Sequence, residues 1–340
     1  MTDSLSLDYN TSNGLEKPKL PYLPGNQLSV ASHRPPPPTD GRVSLTFKTA
    51  RERELVDVVT RCQNHPPLEG KLIPEERFNL KILETIRVGD GKSAQVVSVQ
   101  ILSGPRLVDL ELVAKLYDPL YYDHSSDDAD PFLCVDRHYT HETAAYVHLS
   151  GSVNIIPRYY CSYSWKVSVN ENQSRLVRLI LIEKVNGLSM DRIDPRMLTV
   201  ELRKCIMKRV VDAESWLYQQ NVRHGDIHPR NILVQQLEST PEDPAVTFID
   251  FGRAIIGRSH DPTDLEEEEK YLPGTYISPR LRWSMSSSWR AYPHAFKDWI
   301  TWDWQSWLED EYEGDEITEQ MRLLWPPLRT KPLPPPPDLR

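Results

Sequence analysis

The chain has few cysteines, and none of them lies close to another. Only Cys62, Cys134, Cys161 and Cys205 occur in 340 residues, and no two of them form a CxxC pair. Structural zinc sites and disulfide frameworks use cysteines at close, repeated spacings, so the sequence favours neither. Dispersed cysteines are typical of reduced thiols, and we therefore expect the protein in the cytoplasm or the nucleus.

Long apolar segments and an excess of positive charge are also missing from the sequence. No window approaches the roughly 18 apolar residues that a membrane helix needs. The first residues, MTDSLSLDYNTSNG, have neither the basic nor the apolar region of a signal peptide. The formal net charge is −9, which gives no electrostatic reason for binding to nucleic acid or anionic lipid. The sequence predicts no membrane segment and no nucleic-acid partner.

Proline, in contrast, is abundant and concentrated at the two ends. Residues 1–41 hold seven prolines and residues 326–337 hold seven more, out of a total of 29. Such segments favour polyproline II over a packed core. We expect residues 1–79 to be a largely disordered extension with a short helix at most, and residues 326–340 to be a Pro-rich tail. Both ends are candidate ligands for proline-binding modules.

A glycine turn opens the part of the chain that we expect to fold. The residues on both sides of it alternate and are rich in β-branched side chains, which predicts a hairpin. The turn contains Gly89, Gly91, Ala94 and Val96 in a G-x-G-x-x-A-x-V pattern. Small residues at these positions let a backbone close over phosphate groups. A plain hairpin turn explains the same pattern, so both interpretations stay open.

A lysine interrupts the next apolar strand. Lys115 lies within LVAKL, where its ammonium group must reach the edge of the strand or pair with an acid. Glu142 lies on the following segment, whose apolar spacing predicts a helix. It could pair with Lys115 and hold it over the phosphates of a nucleotide, and the alternative is a solvated glutamate.

The densest polar segment of the sequence is RHGDIHPRNILV, residues 223–234. It places His224, Asp226 and Asn231 directly before an apolar strand, and Asp250 follows in VTFIDFGRA. A surface turn is one interpretation. The other is phosphoryl transfer, which needs a carboxylate at the acceptor hydroxyl and oxygen ligands for Mg²⁺. Asp226 would then take the hydroxyl proton, while Asn231 would be a ligand of the metal.

These motifs resemble the catalytic and metal-binding loops of the protein-kinase-like superfamily, with H-x-D-x-x-x-x-N at residues 224–231 and D-F-G at residues 250–252. The blend of motifs is similar to that of divergent kinase-like proteins of fungi, and HGDIHPRN is also similar to aminoglycoside and choline phosphotransferases. The resemblance implies an α+β, two-lobed protein-kinase-like fold. A small β-rich, five-stranded N-lobe would span residues 80–185, and a mainly helical, shortened C-lobe would span residues 186–325.

The resemblance also implies a function, which is ATP- and Mg²⁺-dependent transfer of phosphate to a hydroxyl, with Ser or Thr of a protein as the leading acceptor. A histidine two residues after Asp226, at His228, is more similar to the loop of small-molecule hydroxyl kinases than to that of protein kinases. Arg280 lies in a position where protein kinases have a glutamate. The interpretation that the protein is a non-catalytic pseudokinase scaffold therefore also stays open. The implied residues are Lys115, Glu142, His224 and Asp226 for catalysis, Gly89, Gly91, Ala94, Val96, Lys115, Glu183 and Val185 for ATP, and Asn231 and Asp250 for Mg²⁺.

Overall fold

The computed structural model divides into two units, the first formed by residues 1–143 and 158–184 and the second by residues 144–157 and 185–340. The structure describes residues 16–39, 43–105, 108–126, 128–151, 155–169, 173–235, 244–257, 274–285 and 292–325. The tail expected at residues 326–340 therefore lies outside the described residues. Within the described part of the chain, no helix has both the length and the apolar character needed to cross a membrane.

Six antiparallel strands form a closed barrel in the first unit. They are β1 (Gln27–Arg34), β2 (Lys71–Arg87), β3 (Gln95–Ser103), β4 (Glu111–Tyr117), β5 (Tyr159–Ser168) and β6 (Ser174–Glu183). Their order around the barrel is β1-β2-β3-β4-β6-β5, and the pairing of β1 with β5 closes it. Alternate residues of an antiparallel strand point to the same face, which here is the apolar barrel interior. The interior-facing residues include Leu28, Val30, Phe78, Leu80, Val97, Val99, Leu112, Ala114, Tyr163, Leu179 and Leu181.

Strand β1 is the element that closes the barrel. Its sequence, QLSVASHR, alternates so that Leu28 and Val30 are buried. Val30 pairs with Phe78 of β2 on one side and with Trp165 of β5 on the other. Each side chain on this face leaves water when the strand docks, and burying a residue of this size contributes roughly 1.5–3 kcal/mol.

The expected two-lobed kinase-like fold with a five-stranded N-lobe is therefore wrong for this chain. The first unit is a closed barrel of six strands rather than an open sheet of five, because a segment assigned to the disordered extension supplies the sixth strand. The prolines of residues 1–41 lie before and after β1. Strand β1 itself contains no proline.

The remaining helices of the first unit lie between β1 and β2 and between β4 and β5. They are α1 (Phe47–Leu55), α2 (Val58–Asn64), a 3₁₀ helix (Pro119–Tyr121) and α3 (Pro131–His148). Thr46 caps α1 and Asp57 caps α2, each through a side-chain oxygen that accepts a backbone N–H three residues later. The expectation of little structure before residue 80 thus contrasts with β1, two helices and the first part of β2 in that region. Helix α3 crosses the unit boundary between Thr143 and Ala144.

The second unit combines short strands with helices. Its strands are β7 (Leu188–Ser189), β8 (Val222–Arg223), β9 (Ile232–Gln235), β10 (Ala245–Phe248) and β11 (Ile255–Ile256), in two small sheets with the orders β10-β9-β7 and β11-β8. Its α-helices are α4 (Val200–Gln219), α5 (Pro279–Arg282), α6 (Trp304–Glu311) and α7 (Glu319–Leu324). Short 3₁₀ helices span Met190–Arg192, Pro195–Met197, Pro229–Asn231 and Tyr292–Phe296.

Helix α4 carries much of the buried surface of the second unit. Thr199 caps it by accepting the N–H of Leu202 at 3.2 Å, and its apolar positions recur at helical spacing. Ile206, Met207, Val210, Val211 and Leu217 are each at most 1% exposed. The helix ends directly before β8, which leads the chain into the polar segment at residue 224.

Candidate active site

The polar segment 224–231 lies in the second unit and is anchored by His224. The imidazole Nε2 donates to the carbonyl oxygen of Ile249 at 2.9 Å, and Nδ1 accepts the N–H of Asp226 at 3.3 Å. These two bonds require the neutral tautomer that carries its proton on Nε2. Burial lowers the pKa of His224, which favours the same neutral form. His224 thereby ties Asp226 to the residue that directly precedes Asp250.

Asp226 is held by two neighbours in its own segment. Its Oδ2 accepts a hydrogen bond from Asn231 Nδ2 at 3.0 Å, and both carboxylate oxygens accept from Arg230 Nη2, at 2.8 and 2.9 Å. The Asp226 side chain is 24% exposed and that of Arg230 is 44% exposed. The carboxylate is thus fixed in orientation and still reachable from solvent.

Asn231 is oriented by bonds that use only its amide nitrogen. Nδ2 donates to the backbone oxygen of Asp226 at 2.9 Å as well as to its carboxylate. Neither bond uses Oδ1, which is the atom that a hard cation would bind. Asn231 is 2% exposed and ends the 3₁₀ helix that begins at Pro229, where a proline fits the first helical position.

Asp250 lies next to this segment because β9 and β10 pair. Phe248 is opposite Ile232 in the ladder, and the N–H of Ile249 donates to the Asn231 carbonyl at 2.9 Å. Asp250 follows with a φ of 69°, a left-handed conformation that costs a residue other than glycine about 1–3 kcal/mol.

The residues after Asp250 pack against the same segment. Phe251 is fully buried, and its ring lies 4.7 Å from the His224 ring and 5.4 Å from the Tyr146 ring, measured between centroids. Gly225 has a φ of +76°, and a Cβ placed there would lie 2.1 Å from the carbonyl oxygen of Arg253. The two loops therefore touch at a position that only glycine can occupy.

Replacement of Gly225 by alanine should lower the free energy of unfolding by at least about 2 kcal/mol, because the left-handed backbone and the clash with Arg253 act together. The measurement is the denaturant midpoint of the purified variant. Gly314→Ala is the matched control, since a Cβ at Gly314 would meet nothing within 4 Å. Equal midpoints for the two variants would contradict the close approach of the two loops.

The donors present fit Mg²⁺ better than a transition metal. Among the described residues, no group of three or more His, Cys, Asp or Glu side chains is arranged to hold a metal ion. Mg²⁺ does not need such a group, because it keeps several waters and takes one or two protein carboxylates with phosphate oxygens. The Asn231 amide oxygen and the Asp250 carboxylate form a set of that kind.

A second polar cluster lies in the first unit, on β4 and α3. Lys115 Nζ donates to Glu142 Oε2 at 2.5 Å, and the Tyr117 hydroxyl donates to the same oxygen at 2.6 Å. Lys115 is 5% exposed and Glu142 is fully buried. Removing one partner of a buried ion pair costs about 3–5 kcal/mol, so the pairing fixes α3 against the barrel.

The glycine turn between β2 and β3 is closed by a glutamine. Gln95 Oε1 accepts the N–H of Gly89 and its Nε2 donates to the Gly89 carbonyl, both at 2.8 Å. Gly91 has a φ of +74°, Ala94 is buried, and Val96 pairs with Lys115 across β3 and β4. The N–H of Gly89, one candidate phosphate ligand, is thus already donated within the turn.

Glu183 and Val185, which the resemblance assigns to ATP, belong to different units. Glu183 ends β6 in the first unit, where its N–H donates to Arg158 O at 2.9 Å and its Oε2 accepts the Arg158 N–H at 3.0 Å. Val185 begins the second of the two segments that form the second unit. Arg280, which lies where protein kinases have a glutamate, forms an ion pair with Glu309.

The structure thus brings together His224, Asp226, Asn231 and Asp250 in one unit, and Lys115 with Glu142 in the other. Sequence reasoning missed Arg230, Tyr117 and Gln95. Each of these residues could have been found from its position in the sequence. Arg230 is four residues after Asp226, and Tyr117 shares a strand face with Lys115. Gln95 directly follows the glycine turn. No family model and no curated protein matches the chain.

Proposed function

We propose that the protein is an ATP- and Mg²⁺-dependent phosphotransferase that acts on a hydroxyl group, with Ser or Thr of a protein as the leading acceptor. The observation that carries the proposal is the hydrogen-bonded cluster in which His224, Asp226 and Asn231 meet the strand end that bears Asp250. The barrel does not argue against it, because one chemistry recurs on unrelated folds and function depends on the site.

Asp226 would accept the proton of the acceptor hydroxyl. A general base must be reachable and fixed in orientation, and Asp226 meets both conditions through its partial exposure and its bonds to Arg230 and Asn231. His224 would act indirectly, since it is fully buried and bonds to the backbone on both sides of the site. Its role is to set the position of Asp226.

Asn231 and Asp250 would hold Mg²⁺, which supplies charge neutralisation for the phosphate groups. Lys115 would contact phosphate oxygens, with its ammonium group held by Glu142. The ATP contacts assigned to Gly89, Gly91, Ala94, Val96, Glu183 and Val185 rest on the resemblance in sequence.

A small-molecule alcohol is the second candidate acceptor, and His228 favours it. Its Nδ1 accepts the N–H of Arg230 at 3.3 Å and caps the 3₁₀ helix of Pro229–Asn231. Burial, followed by the charge of Arg230, lowers the pKa of His228, so the ring is neutral near pH 7. A neutral ring thus takes the place of the lysine that most Ser/Thr protein kinases have two residues after the base.

The proposal places the enzyme in the cytoplasm or the nucleus, because all four cysteines are thiols. It also keeps residues 35–38, four consecutive prolines, as a candidate ligand for a proline-binding module. Pro37 is exposed within this run.

The test is incubation of the purified chain with γ-labelled ATP, Mg²⁺ and either a basic protein or a panel of alcohols. Label on Ser or Thr is expected, label only on an alcohol selects the second candidate, and no label on any acceptor contradicts the proposal. Asp226→Asn should lower kcat at least about a hundredfold and leave the Kd for ATP unchanged, because its partner is the acceptor. Asp194→Asn is the matched control, since Asp194 also pairs with an arginine but lies outside the cluster.

A further inference from the structure

The N-terminal extension contacts helix α3 at four successive places. We call these contacting parts the brace, which comprises Thr39, residues 43–45 and residues 58–68. The first contact is at the start of α3. The N–H of Asp130 donates to the Val43 carbonyl at 2.6 Å, and Asp130 Oδ1 accepts the N–H of Phe132 at 2.9 Å as the helix begins. Residues 43–45 therefore fix the point at which α3 starts.

The second and third contacts lie along the first two turns of α3. The His65 ring stacks on the Phe132 ring with centroids 4.7 Å apart, and the Arg61 guanidinium lies 5.8 Å from the centre of the Phe132 ring. Asp136 Oδ1 accepts the N–H of Leu68 at 3.2 Å. The carbonyl of Leu68 accepts from Arg178 of β6 at 2.9 Å, so Leu68 links α3 to the barrel.

The fourth contact involves Thr140 and His141, the two residues that precede Glu142 in the sequence. His141 Nε2 donates to the Thr39 carbonyl at 3.0 Å, and the N–H of Thr39 donates to Thr140 Oγ1 at 3.4 Å, which is near the long limit for a hydrogen bond. Phe132, Asp136 and Thr140 recur every four residues and share one helix face. Glu142 is two residues beyond Thr140, about 200° around the helix axis. The contacts at Phe132, Asp136 and Thr140 thus lie on the side of α3 away from the Lys115 pair, and the contact at His141 lies about 100° from Glu142.

We propose that the brace positions Glu142 against Lys115, so that His141 and Asp136 are positioning residues for the phosphoryl transfer proposed above, on which this inference rests. The physical reason is the geometry of the ion pair. Lys115 is fixed by the ladder of β4 with β3 and β6, whereas Glu142 is only as well placed as α3 itself. A displacement of about 1 Å at a reacting group can cost about a hundredfold in rate.

The inference predicts an effect on Lys115 that does not depend on catalysis. Lys115 is paired with Glu142 and is 5% exposed, so it should react slowly with an amine-acetylating reagent. A shift of α3 should make Lys115 react faster. The measurement is the acetylation rate of Lys115 by mass spectrometry in the full chain, with the exposed Lys81 on β2 as internal reference. Activity and thermal stability are measured on the same samples.

Two pairs of variants carry the test. His141→Phe removes the donor to Thr39, and His141→Gln restores an N–H at similar reach. Asp136→Ala removes the acceptor for Leu68, and Asp136→Asn keeps it. We expect the Phe and Ala variants to acetylate Lys115 several times faster and to lose about ten- to a hundredfold in kcat, and the Gln and Asn variants to stay near the wild type.

Each outcome has a distinct meaning. Unchanged acetylation of Lys115 in the folded Phe and Ala variants would overturn the inference. So would a loss of kcat that follows only the loss of thermal stability, since that is a purely structural role. If the wild type transfers no phosphate at all, the proposed function fails, while the acetylation of Lys115 still decides whether the brace positions α3. If one variant of a pair does not fold, the other pair decides.

Discussion

Asp250→Ala is expected to lower the rate of phosphoryl transfer by about a hundred- to thousandfold, which corresponds to the loss of roughly 3–4 kcal/mol of transition-state stabilisation. Asp250 would supply the carboxylate ligand of Mg²⁺ in the proposed reaction. Asp250→Asn should behave in the same way with less loss of stability, because asparagine tolerates the left-handed φ of 69°. The measurement is kcat at saturating Mg²⁺ and ATP.

Asp109 provides a matched control for this prediction. It also has a left-handed backbone, with a φ of 64°, but it lies in the exposed turn between β3 and β4. Asp109→Ala should carry a similar backbone cost and leave kcat near that of the wild type. A folded Asp250→Asn protein with wild-type turnover would show that Asp250 is not a metal ligand.

Glu214→Gln is expected to lower the stability of the second unit by about 3–5 kcal/mol, because it leaves the charge of Arg282 buried without its partner. Arg282 is fully buried, forms an ion pair with Glu214 of α4, and lies 3.6 Å over the centre of the Tyr218 ring. Trp283 Nε1 donates to the other carboxylate oxygen of Glu214 at 3.1 Å. This cluster holds α5 against α4.

Tryptophan fluorescence during urea unfolding measures this effect. Eight of the nine tryptophans lie in the second unit and Trp165 lies in the first, so the signal reports mainly on the second unit. The double variant Glu214→Leu with Arg282→Met is the control, because replacing both partners by apolar side chains is often neutral or stabilising. If Glu214→Gln unfolds at the same urea concentration as the wild type, the ion pair contributes little to the stability of the second unit.

The second-unit cluster could be predicted from sequence because its information is local. His224, Asp226 and Asn231 lie within eight residues, and the strands on both sides fix where they point. Lys115 and Glu142 are 27 residues apart, and no spacing rule links a strand lysine to a helix glutamate. That pairing was inferred from the need of a strand lysine for an acid and from the helical spacing around Glu142, with a solvated glutamate as the alternative, whereas the assignment of Asp250 to a metal came from the resemblance.

The barrel could not be predicted because its decisive contacts are distant in sequence. Val30 pairs with Trp165 across more than a hundred residues, and local composition carries no trace of that pairing. The high proline content of residues 1–41 argued for disorder, while the eight residues of β1 alternate as a strand should. Proline at the flanks of a strand marks where it ends, since proline cannot donate to the ladder.

A sheet that closes on itself has no free edge, and the first unit depends on its earliest strand for this property. A fragment that begins at residue 80 would lack β1 and the first part of β2, and would leave the edge of β5 that pairs with β1 without a neighbour. Exposed strand edges pair readily with other chains, so such a fragment is prone to aggregate. The starting residue chosen for recombinant expression therefore decides whether this unit is a closed barrel or a sheet open to self-association.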